Sequence, residues 1–230
     1  MQHVGIILAG GIGSRVGGAT PKQLLPLADG RSILEHSIDA FEAAPAINEI
    51  AVVMHPDYID AVQALCQKNN WQKLHMIIPG GDERWESSWH AILAYIDAAP
   101  DTALWFHDAA RPFVSQRILA EVAEALETHD AVTVAVPVTD TLYKINPSTL
   151  NGSLPTVHSV PPRNEYMRAQ TPQAFHLELV TRAYSKAMEE EHFLATDDAG
   201  IVRKYEPTHP IYIVQGEEAN KKITYSEDLK

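Results

Sequence analysis

Cysteine is nearly absent: Cys66 is the single one in 230 residues, so no disulfide closes within the chain. It stands with Ala61, Val62 and Leu65 in a helix-like pattern, which predicts a buried structural thiol without chemistry. Cations are scarce as well, 18 Lys and Arg against 30 Asp and Glu, for a formal net charge of −12. Neither the phosphate backbone of a nucleic acid nor an anionic membrane attracts such a chain on average. A nucleotide substrate remains admissible, because binding one takes only a local cluster of cations. No apolar run approaches the roughly 20 residues that span a bilayer, and no basic segment precedes an apolar stretch at the start; a cytoplasmic protein is expected. The 11 histidines show neither the His-x-x-x-His nor the Cys/His spacing of a zinc site.

With 45% hydrophobic and 21% charged residues, the chain can bury a sizeable core, and residues 1–230 are expected to form a single domain. Its organising stretch is Leu8-Ala9-Gly10-Gly11-Ile12-Gly13-Ser14-Arg15, followed by Pro21-Lys22-Gln23. An apolar run from Val4 to Leu8 leads into it and a helical pattern follows, so it reads as the loop leaving the first strand of an α/β sheet. Gly10, Gly11 and Gly13 let backbone N–H groups approach anionic oxygens, and Arg15 and Lys22 add full positive charge. The spacing Gly11-x-Gly13-x-x-x-Gly17 is too long for the dinucleotide fingerprint, and no Gly-Lys-Ser/Thr closes a Walker loop. A purely structural turn would have no need of two cations.

Further along, Ser32-Ile33-Leu34-Glu35 has capping-box form and predicts a helix over about 32–44. Strands are expected at 50–54 and 74–78, with a helix over about 57–69 between them. This alternation predicts a mostly parallel, Rossmann-like twisted sheet with helices on both faces and ligands at the carboxyl ends of the strands. Pro79-Gly80-Gly81-Asp82-Glu83-Arg84, then Ser87 and Ser88, open a helix to about residue 98, whose N-terminus supplies backbone donors for a base, ribose or phosphate. Trp85 and Trp89 read as a packed helix face. A strand at 103–106 ends in His107-Asp108-Ala109-Ala110-Arg111-Pro112, where Asp108 is placed to hold Mg²⁺ beside a triphosphate; His107 reads as a positioning residue. Beyond a helix at about 115–127 and a buried strand at 131–138, residues 139–160 form two extended segments around turns, an excursion from the sheet. Helices over about 177–190 and 196–205, the second capped by Thr196-Asp197-Asp198, precede a last strand at 211–214.

Taken together, the glycine loop with Pro-Lys, Gly-Gly-Asp, His-Asp-Ala-Ala-Arg-Pro, Gln170-Thr171-Pro172-Gln173 and Asn220-Lys221-Lys222-Ile223-Thr224 resemble the 2-C-methyl-D-erythritol 4-phosphate cytidylyltransferases, within the sugar-phosphate nucleotidyltransferase superfamily. The resemblance runs from Leu8 to Thr224. It implies a Mg²⁺-dependent transfer of CMP from CTP to 2-C-methyl-D-erythritol 4-phosphate in the non-mevalonate isoprenoid pathway, with pyrophosphate released. Carried over by motif, Arg15 and Lys22 are catalytic, and Ala9, Gly10, Gly11, Gly13, Gly81, Asp82, Ser87 and Ala109 bind the nucleotide. Arg111, Thr141, Arg163, Thr171 and Lys222 take the acceptor, and Asp108 takes the metal. It also implies that 139–160 is a β-arm hooking over a second subunit in a homodimer. Two departures stand out: Pro161-Pro162 precede Arg163 where an Asp is common, and Ala219 stands where some members carry an acid. Glu217 and Glu218 are nearby, so the second metal carboxylate is open. The alternatives are a ribitol- or pentitol-phosphate cytidylyltransferase and a CTP-binding module without turnover; an oxidoreductase lacks the fingerprint.

Overall fold

The computed structural model describes residues 1–11, 21–146, 154–190, 193 and 195–229. Arg15 and Gly13 therefore lie outside the described residues, as do 147–153 of the segment expected to form an arm. The chain alternates β1 (Gln2–Ala9), α1 (Ile33–Glu42), β2 (Glu49–Met54), α2 (Ile59–Asn69), β3 (Leu74–Pro79), α3 (Arg84–Ala94), β4 (Thr102–Asp108), α4 (Gln116–Leu126) and β5 (Ala131–Pro137). It continues with β6 (Lys144–Ile145), β7 (Val157–Ser159), β8 (Met167–His176), α5 (Leu177–Met188), α6 (Asp198–Tyr205) and β9 (Tyr212–Gln215).

Seven strands form one sheet in the order β3-β2-β1-β4-β8-β5-β9, and β6 pairs with β7 separately. β1, β2, β3 and β4 run parallel, as do β5 and β9. Within this sheet, among the described residues, β8 alone is antiparallel to its neighbours, β4 and β5, and β6 and β7 are antiparallel to each other. The α/β class and the mostly parallel sheet agree with the sequence-based expectation. β8 was not foreseen, because Pro172 interrupts a polar run and a proline argues against a central strand. The ladder accommodates it: pairing with β5 jumps from Thr133↔Gln173 to Val134↔Gln170, so Pro172 and Thr171 fall in the break.

Apolar side chains pack on both faces of the sheet. Along β1, Ile7 and Ala9 face Leu34, Ile38 and Phe41 of α1 with α2 and α4, whereas Val4, Ile6 and Leu8 face α3, α5 and α6. This period of two is what a strand buried on both sides requires. Gly5 lets α1 come close, since a Cβ there would sit 2.5 Å from the Phe41 ring. The expected capping box starts α1: Ser32 Oγ accepts from Glu35 N–H at 3.2 Å, and Glu35 Oε2 accepts from Ser32 N–H at 2.7 Å. Trp89 stacks on Tyr184 with planes 2° apart, which makes it the packed helix face expected. Cys66 is half-buried rather than buried, because α2 covers only the outer edge of the core. Among the described residues, no helix is long and apolar enough to cross a membrane.

Candidate active site

The sheet order reverses about β1, which has β2 on one side and β4 on the other. A crevice forms at the carboxyl ends of strands at such a switch point. The glycine loop after β1 and the Gly80-Gly81 turn after β3 meet there. A Cβ on Gly10 would lie 2.9 Å from Ser87 Oγ, and one on Gly80 3.0 Å from the same oxygen. Only glycines allow the two turns to close on Ser87, whose hydroxyl accepts from Gly81 N–H at 3.2 Å. Gln23 then ties down the start of the loop, donating to Ala9 O at 3.2 Å and to Gly11 O at 2.7 Å. Ala109, buried, carries the chain past this point, its N–H donating to Leu8 O at 3.0 Å. Asp82 is exposed on the same turn. Lys22 is buried and donates to Ile223 O at 2.9 Å, which brings the C-terminal motif against the first loop.

Beside this wall lies a cleft of about 250 Å³ lined by Arg84, Asp108, Arg111, Thr171, Lys222 and residues of β8 and the α6 N-terminus. Asp108, at the end of β4, is its electrostatic centre. Arg84 Nε donates to Asp108 Oδ1 at 3.2 Å, and Lys222 Nζ donates to Oδ2 at 2.7 Å. Burial opposes the charge on this carboxyl, yet Arg84, Lys222 and Arg111 hold its pKa well below the ordinary carboxylate range. It is a carboxylate at any working pH.

The backbone of Asp108 is held by a directed chain. Its N–H donates to Thr171 Oγ1 at 3.1 Å, and that hydroxyl meets His107 Nδ1 at 3.1 Å. His107 Nε2 lies 3.0 Å from the carbonyl oxygen of Arg111, which only accepts. Nε2 therefore carries the proton, Nδ1 accepts, and Thr171 donates to it. Burial pushes the His107 pKa down to about 4, so the imidazole stays neutral. His107 thus links the Thr171 hydroxyl to the Arg111 carbonyl beside Asp108.

Arg111 donates to Asn220 O at 2.8 Å and to Ala169 O at 3.2 Å. Its Nε is buried without a hydrogen-bond partner among the described residues, leaving a cationic donor in the cleft wall. Asn220 Nδ2 reaches Gln170 Oε1 at 3.1 Å and Thr171 O at 2.9 Å. Gly216 makes room for that amide, since a Cβ would lie 2.4 Å from Gln170 Oε1.

The structure thus gathers Asp108, Arg111, Thr171 and Lys222 in one cleft. Thr141 and Arg163 do not line it. Both are exposed at the base of the arm, where Arg163 Nη1 donates to Thr139 O at 2.6 Å. Sequence reasoning assigned no role to Arg84, although its place one turn past Gly80-Gly81 was a usable signal. Asp197 does cap α6, accepting from Gly200 N–H at 2.9 Å. Asp198 is more than a first-turn acid: fully buried, it meets Arg84 Nη2 at 2.8 Å. Glu217 accepts from Ser115 and Arg117, and Glu218 pairs with Arg168.

A profile of the family described as 2-C-methyl-D-erythritol 4-phosphate cytidylyltransferase matches residues 3–230. The protein of that name from Thermobifida fusca (strain YX) is 44% identical over 97% of this chain and 88% of its own length. The bifunctional ribulose 5-phosphate reductase/CDP-ribitol pyrophosphorylase Bcs1 of Haemophilus influenzae is 37% identical over 99% of this chain and 47% of its own length. Among solved structures, the 4-diphosphocytidyl-2C-methyl-D-erythritol synthase from Anaerococcus prevotii DSM 20548 superposes with a TM-score of 0.83 at 28% identity, covering 99% of this chain and 92% of that one. The glycine turns stand beside a cation-lined cleft, and the chain belongs to the 2-C-methyl-D-erythritol 4-phosphate cytidylyltransferase family.

Proposed function

We propose that the protein transfers CMP from CTP to 2-C-methyl-D-erythritol 4-phosphate, giving 4-diphosphocytidyl-2-C-methyl-D-erythritol and pyrophosphate in the non-mevalonate isoprenoid pathway. Beyond family membership, the observation that carries this is Asp108 held between Arg84 and Lys222 at the mouth of the nucleotide crevice. An acceptor phosphate is already an anionic nucleophile, so the reaction needs alignment and charge neutralisation rather than a strong base. In this reading Arg15 and Lys22 neutralise the α-phosphate and the leaving pyrophosphate. Backbone groups of Ala9, Gly10, Gly11, Gly13 and Ala109 flank the phosphates, and Gly81, Asp82 and Ser87 read the cytosine and ribose. Lys222 and Arg111 bind the acceptor phosphate. Thr171, whose hydroxyl is committed to Asp108 and His107, acts by positioning them rather than by touching the acceptor.

Asp108 fits Mg²⁺, a hard cation content with one carboxylate plus waters and substrate phosphates. When bound, the ion would supply charge neutralisation at the triphosphate, and Lys222 would exchange Asp108 for the acceptor. The arm presents Tyr143 at 63%, Val157 at 52% and Val160 at 58% exposure; we assign these to a homodimer interface, through which Thr141 and Arg163 would serve the partner's acceptor site. The proposal includes a cytoplasmic enzyme.

Similarity to the CDP-ribitol enzyme over nearly the whole chain favours ribitol 5-phosphate as the second candidate acceptor. Pyrophosphate release from CTP and Mg²⁺ is to be measured with each acceptor and with none. Release with methylerythritol phosphate alone is expected. Release with ribitol phosphate alone would reassign the acceptor, and CTP binding with no release at all would defeat the catalytic proposal.

A further inference from the structure

Arg84 is the first residue of α3, and its side chain spans two carboxylates from distant parts of the chain. Nε donates to Asp108 Oδ1 at 3.2 Å, and Nη2 lies 2.8 Å from Asp198 Oδ2. The second contact is an ion pair off the N–H line rather than a directed hydrogen bond. The Arg84 side chain is 27% exposed and lines the cleft, whereas Asp198 is 0% exposed. Helix capping does not account for Asp198, because Asp197 performs it. A buried carboxylate is costly unless paired and hydrogen-bonded. Its partners are Arg84 and Tyr184, whose hydroxyl donates to Asp198 Oδ1 at 2.6 Å. Tyr184 is itself fully buried on α5 under the Trp89 ring.

We propose that Arg84 is a positioning residue for Asp108: its guanidinium, fixed and neutralised by Asp198, holds one carboxylate oxygen so that Asp108 meets the cation through the other. Two physical points support the division of labour. A guanidinium is planar and donates in fixed directions, so it sets the plane of a carboxylate as an ammonium does not. Its charge beside Asp108 would repel an incoming cation, and Asp198 supplies the compensating negative charge without entering the cleft. Lys222 holds the other oxygen and sits on the C-terminal segment, free of any such second anchor among the described contacts, so it is the partner that exchanges. α3 also carries Ser87 of the nucleotide wall, so one rigid helix sets the spacing between base site and Asp108.

This inference rests on Asp108 being the cation ligand. The test is Mn²⁺ binding to the enzyme with CTP and no acceptor, read by water-proton relaxation enhancement, alongside steady-state kinetics and melting temperature. Arg84→Lys keeps the charge and loses the fork; we expect Mn²⁺ affinity about tenfold weaker or worse, the usual scale for the partner of a ligating group, with kcat lowered and acceptor KM unchanged. Asp198→Asn leaves Arg84 uncompensated and should also weaken Mn²⁺. Where that variant fails to fold, Tyr184→Phe, which loosens Asp198 without changing charge, should weaken Mn²⁺ a few-fold. Unchanged Mn²⁺ affinity in Arg84→Lys, with affinity lost in Asp108→Asn, overturns the positioning role. Unchanged affinity in both overturns the ligand assignment beneath it. A raised acceptor KM with normal Mn²⁺ affinity makes Arg84 an acceptor contact instead and likewise overturns the proposal.

Discussion

The two sides of the crevice are built differently. On the β1 and β3 side the wall is backbone: Gly10, Gly80 and Gly81 close on Ser87 within turns that directly follow their strands. On the β4 and β8 side it is side chain: Arg84, Asp108 and Lys222, with the buried Asp198 behind Arg84, form an ion network drawn from four places in the chain. A backbone wall suits a nucleotide whose groups sit at constant positions, while a network of exchangeable ion pairs suits a phosphate that must arrive and become product. The first wall needs only local geometry. The second exists only when the sheet is assembled.

The sharpest test of this contrast compares the two lysines. Lys22→Ala, at the first wall, should lower turnover by at least about two orders of magnitude, the usual loss for one preorganised donor. Near-normal kcat in that variant would end its assignment. Lys222→Ala, on the second wall, should lower kcat/KM for the acceptor by roughly 10- to 100-fold, as for one charge-assisted hydrogen bond, while CTP affinity changes little. Equal loss for both substrates would merge the two walls into one.

Thr171→Val comes next. It preserves shape but strands the Asp108 N–H and His107 Nδ1, an expected cost of about 1–3 kcal/mol, read as a melting temperature lower by several degrees. An unshifted transition would show that neither group depends on that hydroxyl.

The smallest effect belongs to a carboxylate remote from both walls. Glu35 caps α1 and accepts from Lys68 and Asn69, each at 3.0 Å. Although burial opposes its charge, the Ser32 N–H, Asn69 and Lys68 hold its pKa at about 2, below the unperturbed 4.5. A depressed carboxyl pKa contributes stability that is complete above the unfolded value and lost as pH falls through the folded one. Glu35→Gln should therefore cost about 1–2 kcal/mol at neutral pH, with the gap to wild type shrinking between pH 4.5 and 2. Denaturant titrations at several pH values would show it, and a gap that widens on acidification would contradict it.

What could be read in advance follows the same division. The loop at Ala9–Gly11, the Ser32–Glu35 capping box, the Gly80–Gly81 turn and the cap at Asp197 are short-range patterns, and each is in place. The strand through Pro172 was hidden because its proline speaks against a central strand, and only the break in pairing with β5 makes room for it. Cys66 proved half-buried because a helical pattern shows which residues share a face but not how far the neighbouring layer extends. Arg163 and Thr141 are acceptor residues by resemblance, yet fall outside the cleft because both lie on exposed chain between β5 and β8.

Sequence alone determined the alternating α/β order, the glycines that let the turns after β1 and β3 close, and the aspartate at the end of β4, since each rests on backbone geometry within a few residues. Tertiary structure alone decided that Arg84, Asp198 and Lys222 converge on Asp108, and that Thr171 and His107 hold its backbone. Those partners lie as many as 114 residues apart. Pairing of buried charges is set by which groups the folded sheet and its helices bring within hydrogen-bond distance, and no local pattern records it.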